Sequence, residues 1–104
     1  MKKHLIFILL VCLTSLSAGP ALSGDFIAAR AAYIDRDYED AAKLFMELAQ
    51  EGDHRGMSFL GRMYSKGRGV QKNPGESIRW HKAAAKKGNG FSANQVALAH
   101  LSGK

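Results

Sequence analysis

Few residues in this chain have the type and spacing to do chemistry. His54, His81 and His100 stand at none of the spacings that bring two imidazoles to one metal ion. His4 sits in an N-terminal leader. The run Asp35-Arg36-Asp37-Tyr38-Glu39-Asp40 opens like a calcium loop, but Asp40 takes the place of the turn glycine and Met46 that of the closing glutamate. Carboxylates at that point suit a solvated helix start, where the helix dipole favours them. Gly67-Arg68-Gly69 has neither P-loop nor dinucleotide spacing, and no strand-like run precedes it. Ser58, Ser65, Ser77, Ser92 and Ser102 have no strand-turn-helix elbow around them, and no paired carboxylates share a plausible pocket. The expectation is no catalytic, metal or cofactor-binding residue. What folding explains least is a basic set, Lys66, Arg68, Lys72, Arg79, Lys82, Lys86 and Lys87. A solvated face would account for it. So would docking to an acidic protein or an anionic envelope polymer.

The charge is divided along the chain as well as positive. From Gly24 to Asp53 there are three basic and eight acidic residues; from His54 to Lys104 there are ten basic and one acidic, Glu76. Such a chain has two electrostatic ends. Export removes nucleic acid from the expected partners. Met1-Lys2-Lys3-His4 is a short basic region, and Leu5 to Leu13 is an unbroken apolar run followed by small residues. This is the build of a secretory signal peptide over 1–23, with Ala21 and Ser23 at the −3 and −1 positions of the best cleavage site and cleavage after Ala21 as the alternative. Nine residues of helix rise about 14 Å at 1.5 Å each, too little for a hydrocarbon core of about 30 Å. The single cysteine, Cys12, lies in that leader behind bulky Val11, which argues against a lipid anchor. Without it the exported form has neither disulfide nor thiolate. About 81 residues remain, enough for one domain with a thin core.

The elements that position these residues repeat. Tyr38 to Asp53 aligns with Pro74 to Asn89 thirty-six positions later, and the same shift carries Leu60-Gly61-Arg62-Met63-Tyr64 onto Val96 to His100. Asp37, Asp53, Asn73 and Asn89 each stand where a helix N-cap belongs, and Gly52 and Gly88 where a helix ends. Pro74 suits a first helical position, and Glu76 is placed to close a capping box with Asn73. Helices are therefore expected over 26–34, 38–51, 54–65, 74–87 and 89–101. Their apolar stripes read Ala41, Leu44, Phe45, Leu48, Ala49 and, less cleanly, Ile78, Trp80, Ala83, Ala84, Ala85. Gly61 and Ala97 are expected where facing helices approach closely, and Tyr64 and Trp80 where large rings fill the gap between them. Gly67 and Gly69 suit left-handed backbone. The chain reads as all-α, an α/α solenoid of antiparallel helix pairs: a degenerate first repeat over 24–52, a full repeat over 53–88 and a partial third over 89–104.

Leu60-Gly61-Arg62-Met63-Tyr64, Gly67, Gly69, Val70, Asn73, Trp80, Ala83, Ala84 and Gly88 together resemble the Sel-one-like repeat, a relative of the tetratricopeptide repeat with the pattern LGxxYxxGxGVxxDxxxAxxWYxKAAxxG. Asn73, Ser77 and His81 depart from it, standing for Asp, Ala and an aromatic. His81 and His100 thus fall where the resemblance implies packing residues. It further implies a non-enzymatic adaptor or scaffold, often a secreted bacterial one, that binds another protein. The expected partner is acidic or envelope-associated and met by the basic second half. Self-association, or completion of the fold by a partner across Val96, Ala97 and Leu101, is the alternative, and a small hydrolase is a third. The expected location is the periplasm or the exterior. Intact-mass measurement of exported material should give a chain beginning at Gly24; a mass retaining Lys2 and Lys3 would contradict the leader.

Overall fold

The computed structural model describes residues 23–102, and the leader expectation, Cys12 included, lies outside them but for Ser23. Among the described residues there are five α-helices and no strand: α1 (Ser23–Ile34), α2 (Tyr38–Gln50), α3 (His54–Lys66), α4 (Pro74–Lys86) and α5 (Gly90–Leu101). Each packs on its neighbours in sequence, and α3 also touches α5.

Three of the four connections use one local device. The amide of Asp53 reaches the Leu48 carbonyl and that of Gly52 the Ala49 carbonyl; Asn89 and Gly88 repeat this with Ala84 and Ala85. Asp37 and Arg36 do the same with Ala32 and Tyr33. These paired bonds close the C-termini of α2, α4 and α1 and need a left-handed residue, met by Gly52, by Gly88 and, unusually, by Arg36 at φ 67°. The next helix starts at once. Asp53 Oδ1 accepts from Arg55 N at 2.9 Å, Asn89 Oδ1 from Ser92 N at 2.9 Å and Asn73 Oδ1 from Glu76 N at 3.1 Å. Two capping expectations need correction. Asp37 holds the N-cap position of α2 without a side-chain bond. The box at Asn73 stays half-closed, because its amide already donates to the Tyr64 carbonyl and the Glu76 carboxylate pairs with Arg79.

The fourth connection, 67–73, turns on Gly67 (φ 70°) and Gly69 (φ 74°) and lies against the start of α2. A Cβ on Gly69 would run into the Tyr38 carbonyl, so this glycine meets a left-handed backbone and a close approach together. Val70 follows, half-buried against the core.

The core is concentrated between α1, α2 and α3. Phe45, Leu48, Leu60 and Met63 are fully buried. Phe45 stacks on Phe59 with centroids 4.4 Å apart, and Phe26 and Tyr33 meet both rings edge-on. Ala29 and Ala41 let these helices come close. Toward α5 the core thins, and Ser92 is the one buried residue there.

The seam between α3 and α4 differs from the expected stripe. Its buried column is Ser77, His81 and Ala84; Ile78, Trp80, Ala83 and Ala85 are half-buried. The physical reason is Gly61. A Cβ there would lie 2.5 Å from the His81 ring, so α4 rides on bare helix backbone, where small and flat side chains fit and an indole does not. Trp80 therefore packs at the margin of the core, with Nε1 hidden and unpartnered, and Tyr64 is half-buried as well. The symmetrical expectation for Ala97 fails. It is exposed, because no described helix faces it.

Gly61→Ala should cost about 1–3 kcal/mol from overpacking, although alanine is the better helix former by about 1 kcal/mol. Gly75→Ala, exposed in the first turn of α4, should be neutral or stabilising by up to about 1 kcal/mol. Urea melts of both variants test the pair. Equal stability of Gly61→Ala and the wild type would place α4 farther from α3.

Candidate functional site: a basic groove over the α3–α4–α5 seam

The faces of α3, α4 and α5 that the seam leaves uncovered form an open groove of about 860 Å³. Arg62, Ser65 and Lys66 supply one side from α3, and Phe91, Gln95 and Leu98 supply the other from α5. Ser77, Ile78 and His81 of α4 lie between them, since α4 packs on both flanking helices. Arg68 and Tyr33 close the end next to the 67–73 loop. Among the described residues no carboxylate lines it.

Beneath the groove, the buried side chains of Ser77, His81 and Ser92 are hydrogen-bonded. Ser77 Oγ donates to the Gly61 carbonyl at 2.7 Å, tying α4 to the bare face of α3. His81 Nδ1 and Ser92 Oγ share a 2.9 Å hydrogen bond that ties α4 to α5. Asn89 Nδ2 donates to His54 Nδ1 at 3.1 Å, joining the turn before α5 to the start of α3. His54 and His81 thus join helices, while His100 is exposed.

The cations of the groove are held without anions. The Arg62 guanidinium carbon lies 4.0 Å from the Phe91 centroid and 4.9 Å from that of Phe59, so the fork sits between two rings. Its Nε is buried with no partner. Arg68 Nη1 donates to Tyr33 Oη at 2.9 Å, and this bond, ahead of the nearby phenol dipoles, raises the guanidinium pKa. Two arginines outside the groove are paired with carboxylates, Arg55 with Asp53 at 2.8 Å and Arg79 with Glu76. The hydrogen bond from Arg55 holds the Asp53 carboxyl below the usual carboxylate range.

Of the basic set singled out from sequence, the structure brings Lys66 and Arg68 to this groove and leaves the rest outside it. Arg79, Lys82 and Lys86 are exposed on the face of α4 opposite the Ser77–His81–Ala84 column. Lys72 is exposed in the loop, and Lys87 reaches from its turn toward Gly52. Arg62 and Phe91 are the residues the sequence reading passed over. One signal was available for Arg62: it lies four residues before Lys66 and three after Phe59, on one face of α3. Nothing in the sequence pattern announces Phe91, whose role depends on where α5 docks.

Residues 54–89, which span α3, the 67–73 loop, α4 and the turn after it, match the Sel1 repeat family model. The described residues are thus all-helical, and the segment 54–89 is similar to the Sel1 repeat, a class of helix pair that generally mediates protein–protein interaction. Comparison with curated proteins gave no match.

Burial, and secondarily the Arg62 charge, lowers the pKa of His81 below its usual value. The folded protein therefore binds this proton less readily than the unfolded chain, and stability falls as protons become available. The contribution of neutral His81 is complete above about pH 6.5, the unfolded value, and is lost as pH falls from there through the lower folded value. Asp53 acts in the same direction in a separate, more acid window, below the usual carboxylate value of 3.8. The urea midpoint should drop between about pH 7.5 and pH 5, and His81→Gln should flatten that dependence. An unchanged slope in the variant would show that His81 is not the group responsible.

Proposed function

We propose that this chain is an exported, non-enzymatic interaction module that holds an acidic partner protein in the α3–α4–α5 groove. One observation carries the reading. Among the described residues, Arg62, Lys66 and Arg68 converge on a groove that no carboxylate lines, whereas Asp53 and Glu76 pair with Arg55 and Arg79 elsewhere. Uncompensated charge in a concave, part-apolar surface favours an anionic partner both in approach and in the bound state. The basic start and apolar run of residues 1–23 support export. Lys72, Lys82, Lys86 and Lys87 add to the approach field from outside the groove without lining it. Such rim charges act on association rates more than on affinity.

A second reading rests on α5. Leu98, on the groove wall, is 50% and Leu101 84% exposed, and they lie about one turn apart along the helix. Self-association, or a partner helix laid along α5, would cover them. Light scattering of the wild type and of Leu101→Asp, which lies outside the groove lining, separates this reading from the first.

The groove reading is tested by retention from envelope extract. Lys66→Glu/Arg68→Glu should lower retention of the partner at least tenfold. Lys82→Glu/Lys86→Glu/Lys87→Glu should slow its capture only a few-fold, and less at high salt. A groove variant that retains its partner as tightly as the wild type would sink the proposal.

A further inference from the structure

The groove has two unlike walls, and their arrangement points to the form of its occupant as well as its charge. On the α3 side are Arg62 and Lys66, one helical turn apart, with Arg68 at the end of the same wall. On the α5 side are Phe91 and Leu98, 42% and 50% exposed. At one end Arg62 crosses the groove to lie on Phe91; beyond that contact Lys66 and Arg68 line one wall and Leu98 the other. An extended segment lying between the two sends successive side chains to opposite sides. Residues two apart on such a segment are about 7 Å from each other, close to the rise of about 6 Å over the four residues that separate Arg62 from Lys66.

Both arginines are held ready. Arg62 sits between Phe59 and Phe91, so its fork is oriented before any ligand arrives, and Arg68 is oriented by Tyr33 Oη. Neither makes an ion pair among the described residues. A guanidinium already fixed in place loses less freedom when it takes a carboxylate through two hydrogen bonds.

Resting on the interaction-module reading above, we propose that the groove binds a linear peptide segment in which acidic and aliphatic residues alternate. Its carboxylates meet Arg62, Lys66 and Arg68, and its aliphatic side chains pack on Phe91 and Leu98. A folded acidic surface would meet the rim of the groove but would not thread between the walls. A simple polyanion would use the cations and ignore Phe91 and Leu98.

The test is fluorescence anisotropy with the purified chain and a fluorescein-labelled seven-residue peptide of alternating glutamate and leucine, blocked at both ends. Three competitors accompany it: glutamine in place of every glutamate, the same residues in two blocks, and inorganic polyphosphate. The alternating peptide should bind at least tenfold more tightly than the glutamine and block-ordered versions. Arg68→Gln, in the loop, should weaken it about tenfold. Arg62→Gln should do the same with helicity unchanged by circular dichroism, and Arg62→Lys, which keeps the charge and loses the fork, should recover only part of the loss. Lys82→Gln should leave binding within about twofold.

Equal affinity for the block-ordered peptide, or polyphosphate binding as tight as the alternating peptide's, would overturn the proposal. So would an Arg68→Gln variant that binds like the wild type. If no peptide binds while retention of a protein from extract still depends on Lys66 and Arg68, the linear ligand is rejected and the interaction module stands. If that retention is also indifferent to Lys66 and Arg68, both fail.

Discussion

Everything after α3 depends on the missing side chain at Gly61. Because nothing projects there, the His81 ring lies against α3 backbone and Ser77 Oγ reaches the Gly61 carbonyl at 2.7 Å. That contact sets how close α4 comes. It also sets where the far side of His81 points, and so where Ser92 must stand to share its Nδ1. Two polar bonds and one close approach thus orient α4 and α5, which bury little apolar surface of their own. By contrast α1, α2 and α3 are held by stacked and edge-on rings around Phe45. The molecule has an oily end and a hydrogen-bonded end.

The groove follows from this difference. Small side chains in the seam, Ser77, Ala84 and Ser92, leave the upper faces of α3 and α5 standing apart instead of filling the space between them. Arg62 spans that space by lying on Phe91 and so uses an exposed ring as its support. A larger residue in place of Ser92 would fill the space under α5 and displace His81. The same contact that makes the seam weak in apolar burial leaves it with a concave, charged surface. His81 links the two properties, since it is buried in the joint and borders the groove.

Much of the backbone plan was legible because it is written in local signals. The caps Asp53, Asn73 and Asn89 and the left-handed Gly52, Gly67 and Gly88 act within a few residues of themselves, and helix ends follow from them. The thirty-six-residue spacing was legible for the same reason, since both copies carry the same local signals. Less legible was the rotation of α4 about its own axis. Trp80 is the largest apolar residue in that helix, and hydrophobicity alone places it inward; the close approach at Gly61 turns His81 inward instead. Arg62 escaped notice because one arginine in a basic helix looks like any other until its aromatic neighbours are known.

The sequence by itself determined that this is an all-helical chain, where its helices begin and end, and that its charges divide between two halves, because each of these depends on residues near one another in the chain. The tertiary structure alone decided which cations share a surface. Lys66 and Arg68 are joined by Arg62, while Arg79, Lys82 and Lys86 are turned to the opposite face of α4. That choice depends on how far α4 rotates against a bare stretch of α3, and the rotation is set by contacts sixteen residues or more apart.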